Sequence, residues 1–298
     1  MALRTHRGLI HHSWRSEHRS RRNQRRVATG ALIALLTFFF AGATPTVCAA
    51  AEEEDETAKV AKQLQNPVAA LITAPFQSNF EWGGGPHSGG FKYTLNFQPV
   101  IPISLTDDWN LISRTIAPVV YQDDVVPRSA QGGMGDIVQS LFLSPAAPGP
   151  AGLIWGVGPV FLLPTTTTRF LGAEKFGVGP TAVLLRQDGG WTYGILANHL
   201  VSIGGTSRTS DVNATFLQPF VSYTTKTHTS FVLNTESTYD WENSKWTIPL
   251  IATVSQILKI RGQLLSLQLG PKLYVEGPTS APDWGIRFAT VFLFPLHK

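Results

Sequence analysis

From Pro67 onward the chain holds no apolar run long enough to cross a bilayer as a helix, yet one pattern recurs twelve times. Each time a segment of roughly 10 to 13 residues, rich in β-branched and aromatic side chains, is followed by turn chemistry. The segments centre on AALITAPFQSNF, FKYTLNFQPVI, WNLISRTIAPVVY, GDIVQSLFLS, GLIWGVGPVFLL, GVGPTAVLLRQ, WTYGILANHLVSI, ATFLQPFVSYTT, SFVLNTESTYDW, WTIPLIATVSQIL, LSLQLGPKLYV and GIRFATVFLF. Their length is close to the ~9 to 11 residues of a tilted strand in a membrane barrel. The 27 Gly and 20 Pro punctuate the chain too often for long helices.

The face each strand presents decides between two folds. In LSLQLGPKLYV, Leu265, Leu267, Leu269, Pro271, Leu273 and Val275 share one parity, and Ser266, Gln268, Gly270, Lys272 and Tyr274 the other. In a soluble sandwich the leucines line a core; in a membrane barrel they face lipid and Lys272 faces the lumen. Loop lengths favour the barrel. EWGGGPHSGG, QDDVVPRSAQGGM, PTTTTRFLGAEKF, GGTSRTSDVN and EGPTSAPDW alternate with the tight LTDD, QDGG, TKTH and IRGQ, PAAPGPA being longer. Long loops at one end, short turns at the other and an even strand count are the pattern of outer-membrane barrels.

Alternation is equally clean for Lys92, Thr94, Asn96 and Gln98 against Tyr93, Leu95 and Phe97, and for Asn234, Glu236, Thr238 and Asp240 against Phe231, Leu233, Tyr239 and Trp241. In the last segment Arg287 opposes Ile286, Phe288, Phe292 and Phe294. WNLISRTIAPVVY has no clean parity. Trp82, Trp109, Tyr121, Trp191, Trp241, Trp246 and Trp284 gather at segment ends, as in interfacial girdles. Pro99, Pro118, Pro159, Pro180, Pro219, Pro249 and Pro271 fall inside segments and predict bulges or local ladder breaks.

The N-terminus reads as an export signal over residues 1–50: an arginine-rich start, the apolar VATGALIALLTFFFAGA, then the small-residue TPTVCAA with cleavage after Ala49 or Ala50. The formal charge of +4 owes much to this segment, which carries eight of the 24 bases and, in Glu17, one of the 20 acids. Without it 16 bases face 19 acids, so nothing argues for nucleic acid. Residues 51–66 read as a charged linker or short helix stopped by Pro67, and residues 67–298 as the barrel. Cys48 is the only cysteine, which excludes a disulfide and cysteine-based chemistry in the mature chain.

The stretches NPVAALITAPFQSNF, DWNLISRTIAPVVYQDD, GDIVQSLFLSP, GLIWGVGPVFLLPT, ATFLQPFVSYTTKT and LNTESTYDWE resemble a family of Gram-negative outer-membrane proteins labelled as transporters. That family is often mislabelled neuromedin U and is similar to barrels linked to the meta-pathway of phenol degradation. The resemblance spans about Asn66 to Pro295. It implies an all-β, up-and-down transmembrane barrel of about twelve strands in the cell outer membrane, and it brings no catalytic residues. Outer-membrane lipid, small solutes including hydrophobic or aromatic compounds, and the barrel-assembly machinery with periplasmic chaperones are the partners it implies. PLHK follows Phe294, where many barrels end on an aromatic.

Chemistry is sparse. His199 with Ser202 and His87 with Ser88 lack the histidine-x-serine spacing of outer-membrane phospholipases, and His199 reads as a lumen-facing or interfacial residue. No HxxxH or HxH spacing offers a metal site, and GGGPHSGG and GGMG lack the lysine and following helix of a phosphate cradle. No catalytic residue, metal or cofactor is expected. The lumen is where function is expected, with Lys92, Gln98, Gln139, Arg186, Asn198, Gln218, Asn234, Glu236, Gln268, Lys272, Glu276 and Arg287 as candidate lining residues. An Arg or Lys turned to lipid near the midplane costs about 2 to 4 kcal/mol, which directs these side chains inward. They form either a polar pore or a salt-bridged plug. Function classes in order are a small-solute channel, a non-transporting structural or surface-interaction barrel, an outer-membrane lipid hydrolase and a soluble periplasmic sandwich.

Overall fold

A computed structural model describes residues 51–126, 130–278 and 280–295, with the side chains of 51–56 left aside. Residues 1–50, read above as an export signal, and the PLHK ending apart from Pro295 lie outside the described residues. One helix, α1 (Ala51–Leu64), precedes β1 (Leu71–Gly84), β2 (Gly90–Phe97), β3 (Val100–Ser104), β4 (Trp109–Asp123) and β5 (Gln131–Met134). There follow β6 (Ile137–Pro145), β7 (Leu153–Leu163), β8 (Lys175–Asp188), β9 (Trp191–Gly205) and β10 (Asn213–Thr224). The series ends with β11 (Thr229–Thr235), β12 (Ser237–Asp240), β13 (Lys245–Ile260), β14 (Gln263–Glu276) and β15 (Trp284–Pro295).

Every pairing is antiparallel between neighbours in the chain, and β1 closes on β15 from Leu71 opposite Pro295 to Trp82 opposite Trp284. Three staves are each written as two segments, β2 with β3, β5 with β6, and β11 with β12, so the sheet is a closed barrel of twelve strands. Closure gives each of the twelve staves a hydrogen-bonded neighbour on either side. Among the described residues no helix is long and apolar enough to cross a membrane.

The barrel is turned inside out relative to a soluble protein. Phe76, Val119, Leu143, Leu184, Ile195, Leu233, Leu250 and Phe288 point outward and are exposed, whereas Asn79, Glu81, Lys272, Arg287, Thr192, Ser222 and Ser266 point inward and are buried. A predominantly apolar exterior of this kind is the surface of a protein solvated by lipid. Rings band it at both ends. At the loop-rich end Trp82 stacks on Trp284 with centroids 4.6 Å apart and Tyr239 packs on Trp246 at 5.0 Å. At the tight-turn end Trp109 meets Trp155 edge-on at 5.9 Å and Trp191 meets Tyr223 at 5.0 Å. Trp155, midway along an apolar run, carries no end-of-segment signal in sequence.

Each in-strand proline sits at a lapse in at least one ladder. Pro99 separates β2 from β3, Pro118 faces the break between β5 and β6, and Pro249 stands opposite a bulge in β14 at Val275. Around Pro159, Pro180, Pro219 and Pro271 the register is kept, but pairs drop out on one side. Three of these prolines follow a glycine, and the geometry explains the dipeptide. Proline offers no N–H, and the facing carbonyl, of Leu141, His199 or Ala252, leans over Gly158, Gly179 or Gly270, where a Cβ would lie 1.9, 1.6 or 1.9 Å from the oxygen. Only a residue without a side chain fits. The IRGQ turn has Arg261 at φ 50° and Gly262 at φ 88°, the two positive values that let a two-residue hairpin match strand twist.

Candidate functional site: the bore

The tight-turn end of the bore is stoppered by the segment ahead of β1. Helix α1 ends at Leu64, and Asn66 Oδ1 accepts the Val68 N–H at 3.0 Å, turning the chain into the barrel. Val60 and Ala61 are buried against the inward-facing Leu71, Ile257, Val291 and Leu293. On the far wall Val68 packs with Ile112, Phe142, Val183, Leu185 and Leu196. Gln187 of β8 donates to the Lys62 carbonyl at 2.8 Å, so the helix end touches both walls. The lower bore is therefore an apolar core.

Above the stopper lies a chamber of about 210 Å³ whose wall includes Gln77, Gln98, Arg114, Gln218, Asn234 and Gln268. A second chamber, about 290 Å³, opens toward the long loops between Glu81, Lys92, Tyr274 and the β14–β15 loop at Pro278, Ala281 and Pro282. Between these heights runs a belt of charge. Arg287 donates from Nη1 and Nη2 to the two carboxylate oxygens of Glu236, each at 2.8 Å, and from Nε to Asn79 Oδ1 at 2.8 Å. Lys272 Nζ donates to Glu81 Oε1 at 2.8 Å, and the Tyr274 hydroxyl donates to the same oxygen at 2.5 Å. A buried charge is tolerated only when paired and hydrogen-bonded, and these are.

Glu236 reaches the belt because of the backbone. It occupies the single residue between β11 and β12, where pairing lapses toward both β10 and β13, with Pro219 and Pro249 beside the lapses.

The sequence-derived candidates distribute unevenly. Glu236, Lys272 and Arg287 form the belt, Lys92 lines the upper chamber, and Gln98, Gln218, Asn234 and Gln268 line the lower one. Asn198 lies on the inner parity of β9, paired with Thr181 and Phe216. Glu276 sits exposed at the rim.

Two candidates face outward, against expectation. Gln139 shares the lipid-side parity with Leu141 and Leu143; its amide donates to Ser113 Oγ at 3.0 Å and its carbonyl accepts from Thr115 Oγ1 at 2.5 Å. The amide is satisfied locally, which is how it tolerates that face. Arg186 alternates with the buried Leu185 and lies outside, 3.7 Å from Asp188 beside the tight turn to β9, where a long cation can reach the headgroups. His199 is also outside, its Nδ1 2.9 Å from Thr215 Oγ1, and Ser202 Oγ instead engages Asp211 at 3.3 Å.

Arg114 and Glu81 are absent from the sequence-derived set. Glu81 continues the parity of Gln77 and Asn79 one residue past the end of AALITAPFQSNF, a signal the sequence does contain. Arg114 is flanked on its own parity by Ile112, which packs on Val68 in the bore, and by Ile116, so the strand is apolar on both faces. Near the long loops Lys175 Nζ donates to Asp211 Oδ1 at 2.8 Å, and that hydrogen bond, with the lysine's charge, holds the Asp211 carboxyl below its usual range. Among the described residues there is no grouping of three metal-ligating side chains.

No family model matches the chain, and no curated protein sequence matches it. The resemblance to the transporter-labelled family therefore rests on the stretches quoted above. Solved structures do match. An outer-membrane channel from Pseudomonas putida F1 is 15% identical, with a TM-score of 0.59 over 76% of this chain and 96% of that one. Outer membrane phospholipase A from Escherichia coli is 12% identical, with a TM-score of 0.42 over 75% of this chain and 97% of that one. At this identity the likeness is one of fold: the chain is a closed, twelve-stranded antiparallel barrel of the outer-membrane kind.

Proposed function

We propose that the protein is an outer-membrane channel through which small solutes diffuse. One observation carries this reading: inside a lipid-facing wall the bore holds two chambers in series, about 210 and 290 Å³, each bordered by charged and apolar side chains and separated by a charged belt instead of a continuous apolar core. A barrel built only for rigidity gains more from apolar filling than from ion pairs, whose desolvation cost can exceed their attraction. Passage is down a gradient, with no covalent step, cofactor or metal.

A second reading is favoured by the stopper and the ion-paired belt, which both occupy the bore. In it the barrel is a structural or surface-interaction protein that conducts nothing. Liposome swelling separates the two. Vesicles containing the mature protein should swell in small amino acids or sugars faster than empty vesicles; swelling equal to that of empty vesicles favours the structural barrel.

A further inference from the structure

The charges of the middle bore do not balance. Lys92, Arg114, Lys272 and Arg287 face two carboxylates, Glu81 and Glu236, and each carboxylate already has its own cation at 2.8 Å, Lys272 and Arg287 respectively. Two cations remain without a carboxylate at ion-pair distance among the described residues, and they are divided between the chambers: Lys92 above and Arg114 below. Arg114 uses one donor, Nη2, on Gln98 Oε1 at 3.3 Å. Its remaining N–H groups belong to a planar fork that matches a carboxylate. The lower chamber is also lined by the amides of Gln218 and Gln268 and, on β9, β10 and β11, by Leu196, Phe220 and Val232, with Leu196 paired directly opposite Gln218. The volume of about 210 Å³ is below that of pockets for drug-sized ligands, roughly 300 to 1,000 Å³.

We propose that the lower chamber is a binding site for a small organic monocarboxylate with a short apolar body, held by Arg114 and Gln98 at the carboxylate and by Leu196, Phe220 and Val232 at the other end. The proposal names a solute class for the passage described above and rests on that reading. Lys92 makes the upper chamber attractive to the same anion before it meets the belt.

The test is calorimetric titration of the detergent-purified mature protein with isovalerate and with its neutral isostere isovaleramide, alongside Arg114→Gln and Arg114→Lys. Isovalerate should bind at least about tenfold more tightly than the amide and lose about tenfold or more in Arg114→Gln, the scale expected for charge-assisted hydrogen bonds. Arg114→Lys should fall between, keeping the charge without the fork. Equal binding of acid and amide, undiminished binding to Arg114→Gln, or no binding of isovalerate overturns the proposal. If a variant does not fold, the comparison of the two ligands on the unaltered protein decides alone. Bilayer conductance run in parallel keeps the two readings apart: conduction without isovalerate binding removes this site and leaves the channel, and binding without conduction does the reverse.

Discussion

Arg287 and Glu236 stand on staves separated by two others, β13 and β14, and meet inside the bore through two hydrogen bonds of 2.8 Å. The contact is a strut across the barrel. Removing one partner leaves the other buried and unpaired, at a cost of about 3 to 5 kcal/mol. Glu236→Gln and Arg287→Met should each lower the heat-unfolding midpoint of the detergent-solubilised barrel, and the double variant should recover most of the loss. Additive losses in the double variant would show that the pair is not coupled.

The glycines ahead of the in-strand prolines make a backbone prediction. Gly270→Ala places a methyl group 1.9 Å from the Ala252 carbonyl oxygen, so β13 and β14 must spread. A loss of about 1 to 3 kcal/mol is expected, the range for forced overpacking. Gly204→Ala, whose methyl group would have nothing within 4 Å, serves as control and should unfold like the parent in the same urea titration.

Gln139 and Gln268 read alike in sequence but face opposite ways. Gln139→Leu on the lipid side should leave conductance unchanged, whereas Gln268→Leu removes an amide from the lower chamber and should change it. Single-channel recording of both variants checks the assignment, and an effect of Gln139→Leu equal to that of Gln268→Leu contradicts it.

Near the long loops, the pairing with Lys175 lowers the Asp211 pKa, so the tie is fully present above the ordinary aspartate range, near about 3.9, and is lost as pH falls through the lowered value. Carbon-detected NMR titration should find Asp211 below ordinary aspartates, and Lys175→Met should return it to them. An unshifted Asp211 in the parent protein would show that the tie does not form.

Much of this fold is legible because a membrane barrel states its rules in period two. Lys92, Lys272 and Arg287 lie on strands whose other parity is aromatic or aliphatic, and lipid outside with polar groups inside leaves one solution. Legibility fails where the bore ceases to be polar. Ile112, Phe142, Val183 and Leu196 face inward onto Val68, so their strands are apolar on both sides and hide Arg114. Gln139 misleads because one polar side chain, weighed alone, omits the Ser113 and Thr115 hydroxyls that a neighbouring strand brings to it. The in-strand prolines announce ladder lapses, but only pairing reveals that Pro219 and Pro249 flank the residue that carries Glu236 into the belt.

The channel reading stands on whether ions cross the barrel, and planar-bilayer recording of the purified mature protein measures that directly. Discrete conductance steps are expected, with a reversal potential in a KCl gradient that favours chloride, given the bore cations Lys92 and Arg114 that lack a carboxylate of their own, and with larger steps when residues 51–66 are removed. Silent bilayers from folded protein, both with and without those residues, would contradict it.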